Sequence, residues 1–242
     1  MMPAALILGA SGDIGQAISR RLAADGWSLY LHYFSHEQVI AALQSELQAT
    51  YPQQDFLTLQ ADLSDLSQLN QITENIFSLD AVVFAAGVTA YGLLVDIPVA
   101  QIEALTRMHL VAPMALLTQL QSKLARSGSG RVVFIGSVYG GRGSAMEVPY
   151  STVKGAQSAF VRAYSQEVAS LGMTVNVVAP GAVATKMNQM FDADTMAAVQ
   201  AEIPAARLAT PQDISYYVTM LCQPEAAYMT GQTLYVTGGW RQ

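Results

Sequence analysis

The chain has one cysteine, Cys222, among its 242 residues. A lone thiol cannot close an internal disulfide, so stability must come from burial, and a reducing cytoplasm is the expected setting. Charge is scarce too: 12% of residues are charged, against 52% hydrophobic. The charges sum to −6, with a pI near 4.9. So acidic a chain has no basic stripe to neutralise phosphates, which argues against a nucleic-acid partner. Long apolar runs are missing as well, and none approaches the roughly 18 residues of a membrane span. The opening MMPAALILGASG lacks the basic region and cleavage site of a signal peptide, so no membrane partner is expected. No repeat, low-complexity run or linker interrupts the sequence, and residues 1–242 are expected to form one domain.

What is present is an alternation of short apolar runs and helical periodicity. AALILG (4–9) leads into ASGDIGQAISRRLAADG, where Ile14, Ala17, Ile18 and Leu22 recur at helical spacing and Gly26 ends the helix. A strand, a glycine turn and a helix in that order aim backbone N–H groups and a positive helix end at a pyrophosphate. WSLYLHYFSHEQ (27–38) predicts a second strand and its loop, followed by a helix over about 37–50. DFLTLQADLSD predicts a third strand ending at Asp62, and DAVVFAAGVTAYG a buried parallel strand. Residues 98–125 predict one long helix, with Met108, Val111, Ala112, Ala115 and Leu116 on its apolar face. SGSGRVVFIGS (127–137) and GMTVNVVAPGAVAT (172–185) are buried strands, and a long helix runs from Tyr150 to Leu171. PQDISYYVTMLC (211–222) is a helix with proline in its first turn, and TGQTLYVTGGW (230–240) is a last strand. The sum is an α/β fold: a single Rossmann-type, doubly wound parallel sheet of about seven strands with helices on both faces. Residues 186–203, polar and then helical, are expected to form a mobile lid over the substrate.

The chemistry concentrates in SVYGGRGSAMEVPYSTVK (137–154). On a helix, Tyr150 and Lys154 lie one above the other. An ammonium near a phenol favours the phenolate, so Lys154 is expected to lower the Tyr150 pKa and make it a usable acid or base. Ser137, arriving at a strand end, is placed to polarise a carbonyl. His32 and His36 are expected to be packing or surface residues, because two histidines alone make no metal site. No step calls for a metal.

Ser137, Tyr150 and Lys154 behind an N-terminal glycine turn resemble the short-chain dehydrogenase/reductase family over residues 4–240. The resemblance implies a ketoreductase: hydride passes from the nicotinamide to a carbonyl carbon while Tyr150 protonates the oxygen, which Ser137 holds. Against the family's TGxxxGxG, Gly9 and Gly15 match, Leu8 replaces threonine and Asp13 the middle glycine. Gly12 is expected to supply the lost flexibility, and Asp13 to cap the helix. The resemblance places Ser11, Gly12, Asp13 and Ile14 at the cofactor along with the two matching glycines. It adds Asp62 and Leu63 at the adenine, and Ala85, Ala86 and Gly87 in place of an NNAG motif. Pro180, Gly181, Val183 and Thr185 match its PGxxxT, and Tyr150 and Lys154 also touch the cofactor. His109 stands where the family has an asparagine of the proton relay. At the second strand's tip no acidic residue is present to hold a ribose 2′-hydroxyl, and Ser35 can donate to a 2′-phosphate. NADP(H) is therefore preferred, with NAD(H) admissible.

For the substrate, the general likeness points to 3-oxoacyl-[acyl-carrier-protein] reductases, whose basic docking residues would fall at Gly128 and Leu171, near the active-site mouth. Neither is basic, and an acidic protein attracts an acidic carrier poorly. SLYLHY, QADLSD, HLVAP, EVPYSTVKGAQSAFV and TGQTLYVTGGW resemble the branch of elongation factor P 5-aminopentanone reductases more closely. That branch implies an amine-bearing ketone on a translation factor, with Glu147 set to pair with its ammonium, assisted by Asp192 and Asp194. The partner is thus a small ketone or a ketone-bearing protein, and kinship implies a homotetramer or homodimer. A non-catalytic NADP(H)-binding sensor or scaffold is the alternative of another class.

Overall fold

The computed structural model describes residues 2–187 and 192–240. Four of the residues expected in the lid, 188–191, lie outside the described residues. The N-terminal half alternates β1 (Ala4–Leu8), α1 (Asp13–Ala24), β2 (Ser28–Tyr33), α2 (Glu37–Thr50), β3 (Phe56–Gln60), α3 (Leu69–Thr73) and β4 (Ala81–Phe84). The chain continues through α4 (Val99–Thr106), α5 (Ala112–Arg126), β5 (Arg131–Ile135), α6 (Val138–Arg142), α7 (Val148–Val168) and β6 (Thr174–Pro180). It ends with α8 (Ala193–Glu202), α9 (Pro211–Cys222) and β7 (Thr233–Val236). The strands form one sheet in the order β3-β2-β1-β4-β5-β6-β7, all parallel. This is the doubly wound sheet expected.

The two-residue period of a strand divides the core into two layers. Leu6, Leu8, Val82, Phe84, Val132 and Phe134 pack on one face against α3, α5 and α7. Ala5, Ile7, Leu29, Leu31, Val133 and Val178 pack on the other against α1, α2 and α9. Covered on both faces, the strands need apolar side chains at every position, which explains why they appear as runs without alternation. Each buried Leu, Val or Ile is worth about 1.5–3 kcal/mol of transfer free energy. Thr210 and Asp213 form a reciprocal cap at the start of α9, with Pro211 in the first turn.

The expected long helix over 98–125 is interrupted. Between α4 and α5, Arg107–Val111 forms a wider π-turn. Pro113 accounts for it: a proline has no N–H to offer the carbonyl four residues back, and its ring crowds that carbonyl. The residue four back is His109. Its orphaned carbonyl accepts instead from Gln157 Nε2 on α7 at 2.8 Å. Met108 and Val111, expected on the buried face, are only half-buried in this turn.

Because every strand is parallel, all their C-terminal ends meet at one edge, and the loops there enclose a cleft of about 670 Å³. Among the described residues no helix is long and apolar enough to cross a membrane.

Candidate active site

The glycine turn forms one end of the cleft. Gly9 has φ of 83°, and a Cβ there would lie 2.5 Å from the Ala86 backbone, while a Cβ on Gly15 would strike the Gly9 carbonyl. Both glycines are required by close approach. Gly12 is not: its φ is −75° and an added Cβ would meet nothing closer than 3.4 Å, so the expected compensation for Asp13 is not used. Nor does Asp13 cap α1. Gly12 occupies the N-cap with no side-chain bond, and Asp13 Oδ2 accepts from the Lys186 backbone N–H at 2.7 Å.

His32, buried at the end of β2, braces this turn. Its Nδ1 accepts from the Gly9 N–H at 3.1 Å, so Nε2 carries the proton and donates to the Ala61 carbonyl at 3.1 Å. Burial lowers its pKa to about 4, so the ring stays neutral at pH 7. One imidazole thereby ties together the ends of β1, β2 and β3. The sequence offers no motif for this, since a histidine among aromatics at a strand end looks like packing.

Ser11, Gly12, Asp13, Ile14, Ser35, Asp62 and Leu63 line the cleft beside Gly9 and Gly15. Asp62 folds back on its own loop, with Oδ1 accepting from the Ser64 N–H and hydroxyl at 2.8 Å. At the middle lie Ala85, Ala86 and Gly87, which follow β4, and Pro180 at the end of β6 with Gly181, Val183 and Thr185 after it. Val183 bridges to Ala209, which pins this segment.

The other end holds Ser137, Glu147, Tyr150 and Lys154. Ser137 caps α6, its hydroxyl accepting from the Tyr139 N–H at 3.2 Å. A Cβ on Gly140 would come within 2.7 Å of the Lys154 carbonyl carbon, so α6 lies directly on the first turns of α7. That contact brings Ser137 to Tyr150. The Lys154 ammonium, 4% exposed, donates to the Ile135 carbonyl at 2.7 Å and lies 5.5 Å from the Tyr150 ring centroid.

The electrostatics depart from expectation. Tyr150 is held above its ordinary pKa, first by burial and then by the Glu147 charge, with only the Ser137 hydrogen bond pulling it down. Lys154 does not set the direction, because burial lowers its own pKa to about 7 and thins its charge at neutral pH.

His109 does not reach the cleft wall. It is 1% exposed behind Gly87, its ring edge-on to Tyr150 at 5.9 Å between centroids. Nε2 meets the Val88 carbonyl at 3.0 Å, while Nδ1 is buried without a partner among the described residues. Burial and the nearby Lys154 charge lower its pKa to about 3, which favours the neutral ring at pH 7.

Glu147 sits on a backbone set with some strain: Met146 before it has φ of 65°, and the Met146 carbonyl accepts from the Gly92 N–H at 2.7 Å. Its Oε1 accepts from the Thr89 hydroxyl at 2.9 Å. Tyr91, Tyr139 and Trp240, not singled out from sequence, also line this end. Asp192 caps α8 through the Thr195 N–H, and neither it nor Asp194 lines the cleft. Gly128 and Leu171 precede β5 and β6, at the edge of the sheet where strands begin. In a parallel sheet that is the edge opposite the cleft, so neither position lies at its mouth.

The family model described as enoyl-(acyl carrier protein) reductase matches residues 9–241. An uncharacterized oxidoreductase of Bacillus subtilis, YmfI, is 39% identical over 99% of both chains. The 3-oxoacyl-[acyl-carrier-protein] reductase FabG of Escherichia coli is 33% identical over 97% of this chain and 96% of its own. Among solved structures, a blue fluorescent protein from a metagenomic library, in complex with NADPH, superposes with a TM-score of 0.92. It is 30% identical and covers 99% of this chain and 98% of its own. Likeness of this extent, in sequence and in fold, makes the protein a member of the short-chain dehydrogenase/reductase family of oxidoreductases.

Proposed function

We propose that the protein is an NADPH-dependent ketoreductase whose substrate is an amine-bearing ketone, the 5-aminopentanone group on modified elongation factor P. The observation that carries the substrate is Glu147, a carboxylate fixed by Thr89 at the cleft and near enough to Tyr150 to raise its pKa. A ketone three or four bonds from an ammonium can place its oxygen at Tyr150 and its charge at Glu147.

The cleft fits a nicotinamide dinucleotide. Gly9, Gly12 and Gly15 line the cleft with backbone alone, in a turn packed so closely that side chains at Gly9 and Gly15 would strike it, and the uncapped start of α1 offers N–H groups to a pyrophosphate. In this reading Asp62 and Leu63 contact the adenine, Val183 and Thr185 the nicotinamide, and Ser35 a 2′-phosphate; all five line the cleft. The absence of an acid at this end of β2 and the NADPH-bound relative both support NADPH over NADH.

When bound, the cofactor supplies the hydride. Ser137 holds the carbonyl oxygen, and Tyr150 gives it a proton as the carbon gains hydride, so that C=O becomes CH–OH. A raised pKa keeps the phenol protonated at pH 7, which is the state reduction requires. The phenolate left behind is reprotonated along Lys154, with the unpartnered Nδ1 of His109 available to hold a water behind it. His109 is thus a positioning residue in the relay, acting through Lys154.

The FabG relative supports a second substrate, an acyl-carrier-protein thioester. NADPH oxidation by purified protein with ketone-modified elongation factor P, acetoacetyl thioester and a neutral ketone separates the two. Turnover of the modified factor, with Glu147→Gln raising its KM about tenfold and leaving that of the neutral ketone unchanged, is expected. Turnover of the thioester alone, or an equal effect of Glu147→Gln on both ketones, removes the amine assignment.

A further inference from the structure

The Asp13 carboxylate spans the cleft. It belongs to the first turn of α1, yet its hydrogen-bond partner, the Lys186 amide, lies 173 residues along the chain. Asp13, Thr185 and Lys186 all line the cleft. On the cofactor assignment above, the pyrophosphate comes to this ground, because the amides at the start of α1 face it. A negative side chain therefore stands at an anion site and already accepts a hydrogen bond from a backbone amide on the facing wall.

Neither local structure nor packing requires an acid here. Asp13 makes no cap bond to its own helix, and the residue is half-buried rather than enclosed. Its effect falls on whatever shares the space. A carboxylate and a phosphate in a partly solvated cleft repel each other, and they compete for the same N–H donor.

We propose that Asp13 is an internal competitor for the cofactor's pyrophosphate: it holds the Lys186 amide until a phosphate oxygen replaces it, and so sets cofactor affinity. The exposed Lys186 ammonium complements this exchange. When the amide passes from carboxylate to phosphate, a cation on the same residue is left beside the incoming anion. Asp13 hydrogen-bonds the Lys186 amide and is not among the groups that carry the proton, so its effect belongs to binding and not to the chemical step.

The test uses Asp13→Asn, which keeps the shape and an acceptor oxygen but removes the charge, and Asp13→Gly, which removes both. NADPH affinity is measured by nucleotide fluorescence, and exchange of the Lys186 amide is followed without and with NADPH. The Kd for NADPH is expected to fall about tenfold in Asp13→Asn and at least as far in Asp13→Gly. Without cofactor, the Lys186 amide should exchange slowly in the wild type and faster in Asp13→Gly, and saturating NADPH should slow both to the same rate. Unchanged or weaker NADPH binding by Asp13→Asn overturns the proposal, as does equal Lys186 exchange in wild type and Asp13→Gly without cofactor. Should Asp13→Gly fold poorly, Asp13→Asn decides alone. Failure of the wild type to bind NADPH at all would overturn the cofactor assignment, and this inference with it.

Discussion

The two ends of the cleft are built on different principles. At the reacting end, polar groups are buried and their protonation is displaced: Tyr150 upward, Lys154 to about 7 and His109 to about 3. At the glycine-turn end the shape is made by backbone, packed close at Gly9 and Gly15 and braced by the buried, neutral imidazole of His32. Excluding water changes what a side chain can do, while an uncovered backbone changes what can be held. The contrast explains why one end needs particular side chains and the other needs their absence.

The largest test of this contrast is Tyr150→Phe. It should lower kcat by about 10²–10⁴ while the NADPH Kd stays within about twofold. Retained biological function without turnover would instead favour a sensor or scaffold. Gly9→Ala should do the reverse, abolishing tight NADPH binding and lowering stability by at least about 2 kcal/mol in urea titrations, since it needs a left-handed backbone and strikes Ala86.

Gln157→Leu should cost about 1–3 kcal/mol, because the His109 carbonyl has its partner removed. If burial alone governs the reacting end, this loss should also reduce kcat while leaving the NADPH Kd unchanged. The smallest effect concerns Lys154. Its pKa falls from 10.5 to about 7 on folding, so between those values the unfolded chain holds more protons than the folded one. Wild-type stability should therefore rise from pH 7 to pH 9 by about 2 kcal/mol relative to Lys154→Met. A flat difference would mean that the ammonium is not desolvated.

Much of this architecture is legible in the residues themselves. Runs such as ALIL, AVVF and RVVFI, short, rich in branched residues and bounded by turn signals, fit strands buried on both faces, and Thr210-Pro211 marks the start of α9. Tyr150 and Lys154 are legible because helical spacing is a local rule. What escapes is what depends on distant partners. The Asp13–Lys186 bond joins residues 173 apart, and no spacing rule reaches that far. The direction of the Tyr150 shift was hidden because pairing with Lys154 can be imagined from sequence, whereas the burial of both groups cannot. Gly128 and Leu171 were misplaced for a similar reason: alignment gives a position in the chain, and only the sheet says which edge that position occupies. The π-turn is the exception: its cause, Pro113, is local, yet the apolar spacing over 98–125 predicts one unbroken helix.

That turn also bears on how the chain can change length. A π-turn holds one residue more than the α-helical turn it replaces, so it amounts to an insertion absorbed without rotating the helix on either side. Removing one residue between Arg107 and Val111 should leave the faces of α4 and α5 in register with their neighbours. It would alter only the setting of His109 behind Tyr150. The helix is thus divided into two segments whose packing is independent of what the turn between them presents to Tyr150.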